Sequence, residues 1–396
     1  MMKQTAYAWT AALGLAAAAA AGTASAQDIK IGQTMAYSGP ASAYGVIGKT
    51  EAAYFDMINR QGGVNGHKID LISVDDGYVP IKTVEQVRDL AENKQVLFFF
   101  NTLGTPQNSA IRKYLNEHKI PQLFVATGAD KWGDYRHFPW TIGYQPSYQV
   151  EARIYAKYIL QNKPNAKIAL LYQDDDFGKD YLIGLKEGLG AKAASMLVAT
   201  QTYETTEPTV DSQIVSLKGS GADTLVVAAI PKFAAQAIHE VAQIGWHPLF
   251  FMTNVSISVA TVMKPGGLDN SKGIITGSYG KDPTDPTWKN DPAMKAYLAW
   301  LAKWAPGISP QDVNASYGYG LAQVMVQVLK QCGNDLSREN IMKEAAHLDM
   351  PLAMLLPGIR VTSSPRDFHP IKQMQLARFN GATWVLFGEV MSGAGS

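Results

Sequence analysis

The chain has 396 residues, 46% of them hydrophobic and 17% charged, with a formal net charge of +1. That length allows two domains, and the composition is that of a packed globular protein rather than a disordered chain. Near-zero charge with no run of Lys or Arg gives no footing for nucleic acid or an acidic membrane surface.

The N-terminus reads as a secretory signal. Lys3 supplies a positive charge, the run from Tyr7 to Ala21 is apolar and Ala-rich, and TASA ends at Ala26 with small residues at the cleavage positions. Residues 1–26 are expected to be removed, which takes the charge from +1 to 0 with the loss of Lys3. The competing reading, an anchor helix, needs roughly 20 apolar residues, and the run falls short. No later segment reads as transmembrane, so no membrane insertion is expected after cleavage. Export permits disulfides, yet Cys332 is the only cysteine, and its apolar helical setting fits a buried thiol.

The remaining chain alternates strand and helix. IKIGQTMAY, residues 29–37, reads as a strand followed by the turn SGPASAYG and a helix with Ala53, Met57 and Ile58 on one face. GGVNG turns into the strand HKIDLISVDD, and a helix from Pro80 carries Val84, Val87, Leu90 and Ala91. VLFFFNTLGT is apolar on both faces, as a central parallel strand requires. A helix from Pro106 and the strand PQLFVATGA follow. After FPWTIGYQPS the beat restarts: a helix near 148–162, AKIALLYQDDD, a helix around Leu182–Leu189, SMLVATQTYE, a helix through Val210, Ile214 and Leu217, ADTLVVAAI, PKFAAQAIHEVAQIG and HPLFFMTN. GIITGSYG, helical stretches at 292–304 and 312–332, and two strand-like pieces, IKQMQLARFN and TWVLFGEV, complete the chain. The fold class is therefore α/β, with doubly wound sheets in two halves.

Catalytic signatures are absent from this reading, and no enzyme is expected. There is no G-x-S-x-G elbow, no Walker loop and no G-x-G-x-x-G opening a helix; Gly318 and Gly320 give half a fingerprint inside a helical run. The single Cys excludes a thiolate zinc cluster, and HEVAQ lacks the second His of a zinc protease. The triplet Asp174, Asp175 and Asp176 is open to metal binding, but three consecutive loop carboxylates do not easily converge on one ion. A solvated strand-to-helix turn with an acidic cap is the plainer reading, and it extends to Asp75 and Asp76. No cofactor or metal is expected.

Five stretches, IKIGQTMAYSGPASAYG, INRQGGVNGHKIDLISVDD, LGTPQNSA, IALLYQDDDFGKDYLIGLK and ADTLVVAAIPKFAAQAIHEVAQIGW, together resemble the Leu/Ile/Val-binding family of periplasmic solute-binding proteins. The resemblance runs through most of the chain and is weakest after about residue 280. It implies a type I periplasmic binding protein, in which two doubly wound lobes joined by a three-stranded hinge close on a ligand. Residues 27–147 and 277–358 would form the first lobe, and residues 148–276 and 359–396 the second. The expected partners are a small-molecule carboxylate and an ABC permease complex in the inner membrane, and the location is the periplasm. A ligand sensor for a signalling partner is the alternative that the same fold allows.

The resemblance also implies ligand contacts, at Tyr44 after the first strand, Thr105 at the LGT turn, Ala126, Thr127 and Gly128 at the fourth strand, and Phe177, Asn254 and Tyr279 elsewhere around the cleft. Thr105 beside a helix N-terminus suits a carboxylate, though it can also simply cap that helix. Phe177 as plain core is the competing view. Amino-acid-binding members hold the ligand ammonium with acidic groups where this sequence has Gln145 and Asn254. Neutral amides there favour an acid without an ammonium, and the aromatic stretch with Phe138, Trp140, Tyr144 and Tyr148 resembles a subgroup that carries aromatic acids. Hinge packing explains those aromatics equally well. A branched-chain or other hydrophobic amino acid is the alternative ligand, for which Glu151 or Asp130 would have to supply the missing charge.

Overall fold

A computed structural model describes residues 28–392; the expected signal segment lies outside the described residues. The first sheet takes β1 (Ile29–Met35), β2 (Ile69–Asp75), β3 (Phe98–Phe100) and β4 (Gln122–Leu123) in the order β2-β1-β3-β4, all parallel. Phe98, Phe99 and Phe100 are wholly buried, each contributing about 1.5–3 kcal/mol by leaving water. The helices α1 (Gly45–Arg60), α2 (Pro80–Arg88) and α3 (Thr105–Glu117) connect these strands. Proline opens both α2 and α3 within the first turn, where its missing N–H is harmless.

The second sheet is larger. α4 (Tyr148–Asn162) leads to β5 (Ile168–Gln173), α5 (Asp176–Leu189), β6 (Leu197–Tyr203), α6 (Asp211–Gly219), β7 (Thr224–Ala228), α7 (Pro231–Gln243), β8 (Leu249–Met252) and β9 (Ile275–Ser278). The chain then returns to the first lobe for α8 (Pro292–Trp304), α9 (Val313–Cys332) and α10 (Arg338–Ala345). It closes with β10 (Gln373–Phe379) and β11 (Trp384–Ser392) on the second sheet, whose order is β11-β10-β9-β8-β7-β5-β6. β5 to β9 run parallel, and β10 and β11 are antiparallel to their neighbours. The chain thus passes between the sheets three times, near residues 143–147, 279–280 and 372. This is the two-lobed α/β architecture of type I periplasmic binding proteins.

Two details depart from the sequence reading. Residues 359–371, expected with the second lobe, pack in the first, where Ile359, Val361, Phe368 and Ile371 join the core that includes Phe98, Phe100 and Leu329. A short antiparallel ribbon, Asp349–Met350 with Val361–Thr362, holds them there. α5 begins at Asp176 rather than near Leu182, because Asp175 caps it. Gly178 also sits so close to the end of β5 that an added Cβ would overlap Gln173 O and lie 2.7 Å from Tyr172. Cys332 is buried and free, and burial pushes its thiol up to about 12. No helix of the described residues is long and apolar enough to cross a membrane.

Candidate functional site

In both sheets the strand order reverses sides, around β1 and β3 in one and β5 and β7 in the other, which places a crevice at the strands' carboxyl ends. These two crevices face each other. The segments leaving β1, β3 and β4 bring Tyr44, Thr105, Ala126 and Thr127, while those leaving β5, β8 and β9 bring Phe177, Asn254 and Tyr279. With Gln145 from the first crossing, eight of the nine expected residues line one cavity of about 90 Å³, counted as room for the centre of a water molecule.

Gly128 does not line it. Its missing side chain makes room for the first crossing: a Cβ there would lie 2.5 Å from Pro146 O and 2.8 Å from Tyr148, and its carbonyl accepts the Tyr148 N–H at 2.7 Å. Several lining residues carried no sequence expectation. Tyr78 follows β2 at the same carboxyl edge and adopts a left-handed φ of 63°, a conformation of the kind that clusters at ligand clamps. Asp76 holds it there, accepting the Tyr78 N–H at 2.9 Å and the Thr83 hydroxyl at 2.7 Å. Asp76 is thus fully buried rather than solvated, and the signal that could have found Tyr78 is its place just past a strand's carboxyl end. Asn314 and Tyr317 come from the start of α9, where no strand-end rule points. α9 approaches closely because Gly318 packs on α1, with room for a Cβ only 2.9 Å from Ile47 O.

The lobes are closed on this cavity. The Tyr44 hydroxyl donates across it to Val255 O at 3.0 Å. At the rim Lys131 meets Asp176 at 2.6 Å, and the Asp130 N–H donates to Asp180 at 2.7 Å. The acidic triplet is therefore divided by role. Asp175 accepts the N–H groups of Phe177 and Gly178 at 2.9 and 3.3 Å, Asp176 bridges the lobes, and Asp174 lies 3.6 Å from Lys179. Among the described residues no three His, Cys, Asp or Glu side chains are grouped to hold a metal.

Thr105 opens α3, whose first N–H groups have no intrahelical acceptor. Its hydroxyl lies 2.5 Å from that of Thr127. Thr127 Oγ1 also accepts the Ala129 N–H and the Trp132 indole N–H, both at 3.3 Å. Aromatic side chains make up much of the remaining wall: Tyr44, Tyr78, Tyr144, Tyr148, Phe177, Tyr279 and Tyr317. Phe138 instead lies under the Arg112 guanidinium at 3.7 Å, and Trp140 packs on the first-lobe core.

No Asp, Glu, Lys, Arg or His lines the cavity. Two carboxyls stand one layer behind it. Glu151 accepts the Asn254 backbone N–H at 2.8 Å, the Asn254 side-chain amide, and the hydroxyls of Tyr155 and Tyr181, the last at 2.6 Å. Burial pushes it up to about 7 against those donors. Glu51 accepts from Gln33 at 2.6 Å and from Asn101, and burial pushes it up to about 8. Asp130 takes the Ser147 hydroxyl at 2.6 Å and does not reach the wall either.

A family model described as periplasmic binding protein matches residues 28–383. The Leu/Ile/Val-binding protein homolog 7 of Brucella suis is 24% identical over 337 residues, 81% of this chain and 75% of that protein. A branched-chain amino acid ABC transporter protein from Thermus thermophilus, solved with bound valine, superposes with a TM-score of 0.82 at 15% identity, covering 93% of this chain and 97% of that one. A fatty acid ABC transporter substrate-binding protein from Thermomonospora curvata superposes at 0.75 with 21% identity, covering 92% of each chain. The match over nearly the whole described chain, on two lobes that close around one cleft, makes this chain a member of the periplasmic binding protein family.

Proposed function

We propose that the protein is an exported, periplasmic solute-binding protein that captures a small carboxylate, an aromatic acid in first place, and delivers it to an ABC permease. One observation carries the choice of ligand: a cavity with seven aromatic residues in its wall has no ionisable acid or base other than tyrosine. The Thr105 hydroxyl and the free N–H groups of α3 suit a carboxylate without a basic side chain. Tyr44 and Phe177 offer flat apolar surfaces to a ring. A buried ammonium, by contrast, finds only the amides Gln145 and Asn254, and lacking an anionic partner costs about 2–5 kcal/mol.

A hydrophobic amino acid is the second reading, favoured by Glu151. It stands directly behind Asn254, so an ammonium at Asn254 would have a carboxylate one side chain away. The valine-bound Thermus thermophilus structure and the Leu/Ile/Val-binding name of the Brucella relative point the same way. A melting-shift screen separates the two. The chain is unfolded, dialysed free of carried-over ligand and refolded, then tested with aromatic acids and with hydrophobic amino acids. Ligand at 100 times its Kd adds about 2.7 kcal/mol of stability, enough for a shift of several degrees. A shift with aromatic acids is expected; a shift with leucine or valine alone would replace the first reading by the second.

A further inference from the structure

The two lobe sheets have four outer edges, and three of them are guarded against a further strand. β4 is two residues long and is covered by residues 140–142, with the Gln122 N–H on Trp140 O at 2.7 Å and the Ile142 N–H on Gln122 O at 3.0 Å. β2 carries Asp70 and Asp75. β11 is interrupted by Gly388 at a φ of 67°, by a register shift against β10, and by Glu389. Shortness, charge and irregularity are the usual means of keeping an edge from pairing with another chain. β6, at the far edge of the second sheet, has none of them. Its seven residues, LVATQTY, include no charge, no proline and no glycine.

The outer side of β6 is open. Tyr203 O accepts the Asp174 N–H at 3.0 Å, and Thr202 O accepts the Gln213 side-chain amide from α6 at 3.4 Å. Tyr203 therefore turns its peptide groups toward β5 and Thr202 turns them away. By alternation the N–H and C=O groups of Val198 and Thr200 also point away from the sheet, and among the described residues no backbone group bonds to them. Val198 on the strand and Val215 on α6, which follows it, are 39% and 52% exposed. The two ends of this edge differ in sign. Exposed Lys192 precedes β6, and Lys218 lies near the end of α6, which runs back to that side. Glu204, Glu207 and Asp211 stand where β6 ends and α6 begins.

We propose that β6 is the seam of a homodimer, in which two copies pair their β6 strands antiparallel about a twofold axis at Thr200 and so join their second-lobe sheets edge to edge. The strand complements itself in that register. Thr200 meets Thr200 of the second copy, and Val198 meets Thr202, each pair exchanging both backbone bonds, while Ala199 lies opposite Gln201. No charge is placed opposite a like charge along the strand. The twofold also lays the basic end of each edge against the acidic end of the other, which favours a second copy over an unrelated strand. One patch serves both partners, as a closed dimer requires. The seam joins second lobes only, so each first lobe stays free to open and close, and the inference is independent of the ligand's identity.

Sedimentation velocity of the chain, with residues 1–26 removed, tests it over about 1 to about 100 μM, the range that resolves a micromolar Kd. A species of twice the monomer mass is expected to dominate at the upper end. Thr200→Pro removes an outward N–H at an edge, where a sheet tolerates proline, and Val198→Lys places a charge on an exposed edge position. Each is expected to weaken the dimer at least tenfold while leaving the melting temperature of the monomer nearly unchanged. Should Thr200→Pro not fold, Val198→Lys decides alone. Cross-linking with a two-carbon bis-maleimide then reads the register, since Cys332 is buried. In Thr200→Cys the two backbones lie about 5.5 Å apart across the seam, and a covalent dimer is expected. In Thr202→Cys the two positions are offset by four residues, roughly 13 Å along the strand, and several-fold less product is expected. A monomer at every concentration, a dimer that survives both edge variants, or equal cross-linking of the two cysteine variants would overturn the inference.

Discussion

Among the helices that begin at the cleft, α3 and α5, one from each lobe, treat their first N–H groups in opposite ways. α5 is capped from within: Asp175 takes the N–H groups of Phe177 and Gly178, so this helix start presents the ring of Phe177 to the cavity rather than those two donors. α3 enters through Gly104 at a φ of 96° with no side-chain cap, and Gly104 and Thr105 both line the cavity. An added Cβ at Gly104 would overlap Gln107 Oε1 and lie 2.7 Å from Tyr78, so that position rejects a capping side chain on steric grounds. Two similar strand–turn–helix units thus serve different ends. In the function proposed above one is an anion seat and the other an apolar wall, and the acidic residue that looks chemical in the sequence is the one that closes off its helix.

The largest effect should come from giving α3 the character of α5. Gly104→Asp brings a carboxylate to the start of α3 only by displacing Gln107 and Tyr78, and like-charge contact with the ligand's carboxylate costs several kcal/mol besides. Affinity is expected to fall more than about 100-fold by titration calorimetry, with lost stability from the strained φ. Unchanged affinity would remove the anion seat from α3. Next, Thr105→Ala deletes one hydrogen bond to a charged group, about 1.5–3 kcal/mol, and should weaken binding roughly 10- to 100-fold at nearly unchanged stability. Asp175→Ala is the contrasting case: about 1 kcal/mol of stability lost with the cap, read by urea denaturation, and affinity kept within a few-fold.

The carboxyls behind the two walls predict a pH dependence. Glu51 and Glu151 bind protons more tightly in the folded chain, at about 8 and about 7, than at their ordinary value of 4.5. The stability they contribute is complete below about 4.5 and is lost as pH rises to about 8, because the unfolded chain ionises first. Asp175 and Asp282, each pushed up to about 6, act in the same direction within that window. Denaturation midpoints should therefore fall between pH 5 and pH 8, and the slope should flatten in a Glu51→Gln, Glu151→Gln double variant. A flat profile in the unsubstituted chain would contradict the assignment. The smallest effect is expected at the rim, where Lys131 and Asp176 are 30% and 56% exposed. Lys131→Ala should change affinity by less than about 1 kcal/mol, and by less still at high salt.

Much of this was legible in the residues. Strand–helix alternation gives the two sheets, and the family resemblance placed Tyr44, Thr105, Phe177 and Asn254 around a cleft, where the structure gathers them on one cavity. What escaped has physical reasons. Gly128 stands in the right segment, but its lack of a side chain serves the packing of the first crossing. Tyr317 and Asn314 reach the cleft from the start of a long helix, which no strand-end rule covers. The division of the lobes near residue 359 failed because a two-residue ribbon, too short to leave a pattern, keeps the chain in the first lobe. The glutamates were hardest to read: Glu151 sits in an ordinary helical sequence, and its weight comes from the Asn254 amide it meets 103 residues away.

The most direct measurement compares an aromatic acid with its own carboxamide on the refolded chain, in parallel with Thr105→Ala. An anion seat at α3 predicts that the acid binds at least tenfold tighter than the amide and that Thr105→Ala erodes most of that difference. Equal binding of acid and amide, unchanged by the substitution, would mean that the cleft does not recognise a carboxylate there.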